Sequence, residues 1–149
     1  MPKASVKRLI VCKKNQLLKL VLDIEKYPQF VPFCIDAKIY EKKDDGKIIK
    51  IIADLTIGKG PFRDTYKSDV TYNKINNSIF VTNIGGPLNH LDNKWFFNEI
   101  ENSTEVIFEI DFEIKNKFLN IIMTKSFQFG LDKIADAFQK RAEELFNKS

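Results

Sequence analysis

The stretch Ser103-Thr104-Glu105-Val106-Ile107-Phe108-Glu109-Ile110-Asp111-Phe112-Glu113-Ile114 decides the fold. Val106, Phe108, Ile110, Phe112 and Ile114 alternate with Glu105, Glu109, Asp111 and Glu113. A period of two marks a half-buried antiparallel strand with one wet face. The period then changes. Met123, Phe127, Leu131, Ile134, Phe138, Ala142 and Leu145 follow steps of four and three, the stripe of an amphipathic helix. Asn116 stands where it can cap that helix. From Lys117 to Asn147 it would run roughly 45 Å at ~1.5 Å per residue. Gly130 lies inside, costs ~1 kcal/mol against alanine and marks a place for a kink.

Upstream, from Ile35 to Lys115, strand follows strand. Asp44-Asp45-Gly46 is a hairpin signal between Ile35–Lys43 and Lys47–Ile57. Gly58-Lys59-Gly60-Pro61, Asn76-Asn77, Gly85-Gly86-Pro87 and Asn102-Ser103-Thr104 supply the other breaks. Phe62, Tyr66, Val70 and Tyr72 mark a second strand face, and Leu91, Trp95 and Phe97 a third. At the start, Ala4 to Cys12 reads as a strand. Asn15 is a candidate N-cap for a helix burying Leu17, Leu18, Leu20, Val21, Leu22 and Ile24. Pro28 and Pro32 then bracket Tyr27 to Cys34, too interrupted for more than one helical turn or a tight corner. The order is β–α–α–β–β–β–β–β–β–α, an α+β chain. Six consecutive antiparallel strands curl because sheets twist. A long helix over the concave side of about seven strands leaves an apolar cavity between them, the default kind of ligand site.

The 149 residues argue for a single domain over 1–149. With 44% apolar and 30% charged residues, a mainly disordered chain is excluded. Phe, Tyr and Trp number 13, 4 and 1, apolar bulk for a dense core or a cavity wall. The net charge is 24 − 20 = +4, carried by 21 Lys against 3 Arg. A mild positive field helps encounter with RNA, ribosomes or anionic lipid and specifies none of them. Arginine is the better fork for phosphate, so its scarcity argues against dedicated nucleic-acid binding, and DNA is not an expected partner. Cys12 and Cys34 stand outside any CxxC spacing and fit a reducing compartment. No stretch approaches the ~18 apolar residues of a membrane span, and residues 1–8 lack the apolar core of a secretion signal. The expectation is a soluble cytoplasmic protein.

Catalytic signals are thin. His90 is the one histidine, and the sequence identifies no partner to orient it as a base. Cys34 would need a cation or base beside it to become a nucleophile; buried packing is the commoner state of a free cysteine. No cluster of His, Cys and carboxylates suggests a metal site. Gly58-x-Gly60 lacks the third glycine and the following helix of a dinucleotide fingerprint. Two lysine groups, Lys3–Lys14 with Arg8 and Lys42–Lys50, read either as solvated edges guarded against strand pairing or as an RNA contact, without the aromatic interleaving of an RRM. No catalytic residue, metal or catalytic cofactor is expected.

Asp23-Ile24-Glu25-Lys26-Tyr27-Pro28-Gln29-Phe30-Val31-Pro32-Phe33-Cys34 closely resembles D-x-E-x-Y-P-x-F-x-P-W-C, a signature of the coenzyme Q-binding and ribosome-association toxin (RatA-like) family of START-like proteins. Gly86-Pro87-Leu88-x-x-Leu91-x-x-x-Trp95-x-Phe97 resembles that family's G-P-F-x-x-L-x-x-x-W-x-F. Ala137-Phe138-x-x-Arg141-Ala142 resembles its terminal A-F-x-x-R-A. The three motifs stand in family order along essentially the whole chain, with Phe33 for Trp and Leu88 for Phe as departures. The resemblance implies a helix-grip (Bet v-like) fold and a lipid chaperone holding ubiquinone or a similar polyprenyl molecule in support of respiration. It also implies two alternatives: a toxin that binds the large ribosomal subunit and blocks subunit joining, and an oligoketide cyclase-like enzyme.

The expectation carried forward is a non-enzymatic isoprenoid-quinone carrier, with ubiquinone as ligand and not as catalytic cofactor. Its bacterial location would be cytoplasmic, with transient surface contact at the inner membrane. The candidate walls are Phe62, Tyr66, Trp95, Phe97, Phe108, Phe112, Phe127, Ile134 and Phe138, each equally able to fill a core. The candidate gate is Tyr27, Pro28, Phe30, Pro32 and Phe33, where two prolines fix a rigid corner.

Overall fold

The computed structural model describes residues 3–59, 61–84, 88–118, 120–121 and 127–146. After β1 (Lys3–Ile10) come helix α1 (Lys14–Leu22) and a 3-10 turn (Ile24–Gln29). Six strands follow: β2 (Cys34–Asp44), β3 (Ile48–Lys59), β4 (Phe62–Asn73), β5 (Ser78–Ile84), β6 (Leu88–Ile100) and β7 (Ser103–Ile114). Helix α2 (Phe127–Phe146) closes the described chain. The strands form one antiparallel sheet in the order β1-β7-β6-β5-β4-β3-β2. Each hairpin neighbour pairs with the next, and β1 adds beside β7. The element order is the one the sequence implies.

Local chemistry sets the turns. At the β2–β3 hairpin, Asp45 Oδ1 accepts from the N–H groups of Lys47 and Ile48 at 2.9 and 2.8 Å. Gly46 takes φ +93°, a left-handed conformation that costs glycine least. Helix α1 begins earlier than Asn15 suggests. Lys13 is the N-cap residue, and Gln16 Oε1 accepts its N–H at 3.1 Å, which leaves Asn15 inside the first turn. At the far end, residues 117, 118, 120 and 121 are helical and Asn116 C=O accepts from Asn120 N–H at 2.9 Å. Met123, Asn147 and the turn at Gly85-Gly86-Pro87 lie outside the described residues. On α2, Leu131, Phe138 and Ala142 are buried as the stripe requires. Leu145 is 41% exposed, because Phe146 is the residue that turns onto the core at this last turn.

Register sorts the inner face of the sheet into rows. One runs Ile49–Tyr72–Ile79–Trp95–Phe108–Val6 across six strands. The next runs Ile51–Val70–Val81–Asn93–Ile110–Ala4. Beyond it, Ala53 pairs with Ser68, Ser68 with Asn83, and Leu91 with Phe112. Helix α2 packs against β1 and α1, so it covers the inner face from the β1 side. The main core gathers α1, α2 and the Trp95 row, whereas Leu91 and Phe112 form a second buried cluster with Tyr66, Val81, Ile110 and Ile114 around it, Val81 and Ile110 packing on both.

Candidate functional site

Six of the expected wall and gate residues meet in one aromatic cluster. Trp95 lies 4.4 Å from Phe108 and 5.3 Å from Phe138 between ring centroids, and stacks within 10° of parallel on Phe97 at 6.2 Å. Phe138 makes edge contacts with Tyr27 at 5.4 Å and Phe30 at 5.1 Å. Such pairs add about 0.5–1.5 kcal/mol each beyond the area they bury. Ile134 joins them on the wall of a residual cavity of about 20 Å³, bounded also by Val6, Arg8, Ala135 and Phe138. That volume is room for about one water molecule. At this end the inner face is filled by its own side chains.

Tyr66 and Phe112 belong elsewhere, to the Leu91 cluster. Burial, then the nearby Cys34, push the Tyr66 hydroxyl well above the usual phenol range. Burial, then Tyr66, Cys34 and Asp23, do the same to Tyr27, whose hydroxyl donates to the Val21 carbonyl. Burial and the Asp36 carboxylate raise the Cys34 thiol to about 11. All three groups are therefore neutral hydrogen-bonding or packing groups near neutral pH, and Cys34 is not an activated nucleophile.

The corner from Tyr27 to Phe33 is clamped on both sides. Phe30 and Val31 N–H groups donate to Tyr27 C=O at 3.1 and 2.8 Å, closing a tight turn. Gly58 N–H of β3 donates to Phe33 C=O at 2.9 Å. The Arg141 guanidinium sits 5.6 Å over the Phe30 ring, and its Nη2 donates to Gln29 Oε1 at 3.3 Å. Phe33 holds a left-handed φ of +68°, is 38% exposed, and reaches to 3.8 Å of where a Cβ on Gly130 would stand. Pro28 is exposed and Pro32 half-buried. The backbones of Phe62 and Phe127 lie in β4 and α2, but their side chains lie outside the described residues.

The ionisable groups lie mostly off the inner face. His90 alternates outward from Leu91, with Nε2 3.0 Å from Asp111 and Nδ1 3.9 Å from Glu113. The lysines are interspersed with acids: Lys7 pairs with Glu105, Lys43 with Glu41, Lys50 with Asp69 and Lys74 with Asp44. Among the described residues no three His, Cys, Asp or Glu side chains gather to hold a metal ion, and no helix is long and apolar enough to cross a membrane.

Several inward polar residues escaped the sequence reading, Arg8 and Asn93 among them. Arg8, between inward Val6 and Ile10, reaches α2, with Nη2 3.0 Å from Asp136 and 3.9 Å from Asp132. Asn93, between inward Leu91 and Trp95, is 7% exposed. A polar residue at an inward position of an alternating strand was the available signal for both.

Seven antiparallel strands curled against a C-terminal helix, with an aromatic inner face, define a START-like helix-grip protein. Residues 13–139 match the family described as polyketide cyclase / dehydrase and lipid transport, and the chain belongs to it. It is 31% identical over 138 residues to the mitochondrial coenzyme Q-binding protein COQ10 of Dictyostelium discoideum; the match covers 91% of this chain and 66% of that protein's length. It is 30% identical over 141 residues to the ribosome association toxin RatA of Rickettsia prowazekii, covering 93% of this chain and 94% of that one. A START superfamily protein from Mycobacterium smegmatis superimposes with a TM-score of 0.80 at 20% identity, covering 96% and 98% of the two chains, a likeness of fold.

Proposed function

We propose that this chain is a non-enzymatic carrier of an isoprenoid quinone, ubiquinone or a close relative, held against the inner face of the sheet. The observation that carries the reading is the Leu91–Phe112 cluster with Tyr66, Val81, Ile110 and Ile114, an apolar patch that adjoins the main core through Val81 and Ile110. Burial of a polyprenyl tail there is worth ~25 cal/mol per Å² of apolar surface. The closed Trp95 end supports a ligand seated at the Leu91 end rather than beside Phe138. The resemblance to a coenzyme Q-binding protein supports the ligand class. A cytoplasmic carrier touching the inner membrane surface would meet quinone where it is dissolved.

Ribosome association is the second reading, favoured by the RatA relative of nearly equal identity. The pairing of Lys7, Lys43, Lys50 and Lys74 with carboxylates weighs against it, because a large-subunit contact needs a contiguous basic face. A cyclase needs ionisable groups converging on the substrate; His90 faces outward and Cys34 is held as a thiol. Lipid extraction from protein purified without detergent, read by mass spectrometry, tests the proposal. A polyprenyl quinone near one per chain is expected. Lipid-free protein that instead co-sediments with large ribosomal subunits at moderate salt would overturn it.

A further inference from the structure

Asn93 is an inner-face side chain whose hydrogen-bond arithmetic leaves a donor over. An indole N–H can only donate, so the atom facing Trp95 Nε1 at 2.5 Å is Asn93 Oδ1. That contact fixes which way the amide lies. Nδ2 then carries two protons, of which one goes to Glu109 C=O over a long 3.4 Å. The second meets no acceptor among the described residues, although the residue is only 7% exposed. A buried donor without a partner is costly to leave so, and natural interiors rarely do.

Its polar neighbours on the same face are engaged with backbone. Ser68 Oγ donates to Ala53 C=O at 3.1 Å, and Asn83 Oδ1 accepts from Leu91 N–H at 2.9 Å where the β5–β6 ladder has ended. Thr104 Oγ1 donates to Cys12 C=O at 2.9 Å. Arg8 is paired through Nη2 with Asp136 and Asp132, and its buried Nε has no partner among the described residues. Asn93 sits between Val81 and Ile110 in its row, one row from Leu91 and Phe112.

We infer that Asn93 is the head-group anchor of the site: its free Nδ2 proton donates to a carbonyl oxygen of an uncharged lipid head. The inference rests on the carrier reading and adds the ligand's polarity to it. The head must present an acceptor, because the anchor offers a donor. An uncharged head suits the site, because the Arg8 guanidinium already has its charge matched by Asp136 and Asp132. A quinone ring carries such carbonyls and no charge, and Trp95 beside the anchor gives its plane an aromatic neighbour.

Trp95 is the only tryptophan and is hydrogen-bonded to the anchor, so its fluorescence reports the site. Decylubiquinone affinity is read from quenching of Trp95; the affinity of decylbenzene, which has the same tail and no acceptor, is read from its reversal of that quench. The native protein should prefer decylubiquinone about tenfold, the scale of one hydrogen bond. Asn93→Leu should bind both ligands alike, with decylbenzene affinity unchanged. Retained preference in Asn93→Leu overturns the anchor while leaving the carrier standing. Absence of any quench in the native protein overturns the carrier reading and the anchor with it. Should Asn93→Leu fail to fold, the ¹⁵N-labelled native protein decides the same question: the Asn93 side-chain amide protons should move downfield with decylubiquinone and not with decylbenzene, and immobile resonances reject the assignment.

Discussion

Trp95 and Leu91 stand on the same face of β6, two inward positions apart, yet their surroundings differ. Around Trp95 the rings of Phe97, Phe108 and Phe138 close to within 4.4–6.2 Å and leave a cavity of about 20 Å³. Around Leu91 the neighbours are Phe112, Tyr66, Val81, Ile110 and Ile114, a smaller cluster with Ser68 and Asn83 further along its row and Asn93 one row away. The difference follows from the helices: α2 lies over β1 and α1, which brings Phe138 to the Trp95 row. One end of the inner face is thus built to hold the fold together. The other carries neutral polar groups on which the proposed ligand would orient.

The harshest way to break the contrast is charge. Phe112→Asp places an unpaired carboxylate on the 6% exposed inner side of β7 and should cost more than about 4 kcal/mol, unfolding the protein or ending ligand retention. Its neighbour Glu113 faces outward near His90, so Glu113→Lys should stay within about 0.5 kcal/mol. Chemical denaturation of the two variants checks the register directly.

Truncation compares the two ends more gently. Phe138→Ala removes three edge-on ring contacts at once and should lose about 3–5 kcal/mol. Leu91→Ala should lose nearer 2 kcal/mol, the low end for a buried leucine, and should weaken quinone binding more than Phe138→Ala does relative to its stability cost. Equal losses with equal binding would erase the distinction. Ala135 lines the small cavity, which cannot take an indole. Ala135→Trp should therefore destabilise by about 1–3 kcal/mol through overpacking, visible as a lower thermal midpoint.

The smallest effect is a pH dependence. Burial raises Cys12 and Cys34 from an ordinary 9 to about 11, helped by Glu143 and Asp36 respectively. The unfolded chain gives up these protons first as pH rises, so the stability they contribute is whole below about 9 and lost towards 11. Denaturation midpoints should fall across that window in the native chain and fall less in the Cys12→Ala/Cys34→Ala variant. Identical slopes would deny the burial of the thiols.

Much of this was legible in the chain. The alternation from Glu105 to Ile114 and the stripe through Leu131, Phe138 and Ala142 are local patterns, and they specify strand, helix and the curled architecture. The corner at Pro28 and Pro32 was legible because proline fixes its own backbone. What stayed hidden depends on register and side-chain reach. Arg8 read as part of a basic N-terminal run, since only the packing of α2 on β1 brings Asp132 and Asp136 to it. Gln16 rather than Asn15 serves the α1 terminus because the helix starts one residue before Asn15. The placement of Phe112 and Tyr66 beside Leu91 rather than among the Trp95 rings is a property of which residues face each other across β4 to β7, and single-strand patterns do not contain it.

The central claim is that a quinone occupies the inner face at its Leu91 end. Isotope-edited nuclear Overhauser spectra of the labelled protein with unlabelled decylubiquinone test it most directly. The account predicts cross-peaks from the ring methyl and methoxy protons to Leu91, Ile110 and Phe112, with Trp95 on the margin. Cross-peaks confined to outward residues such as Phe80 and Phe96, or none at all at saturating ligand, would contradict it.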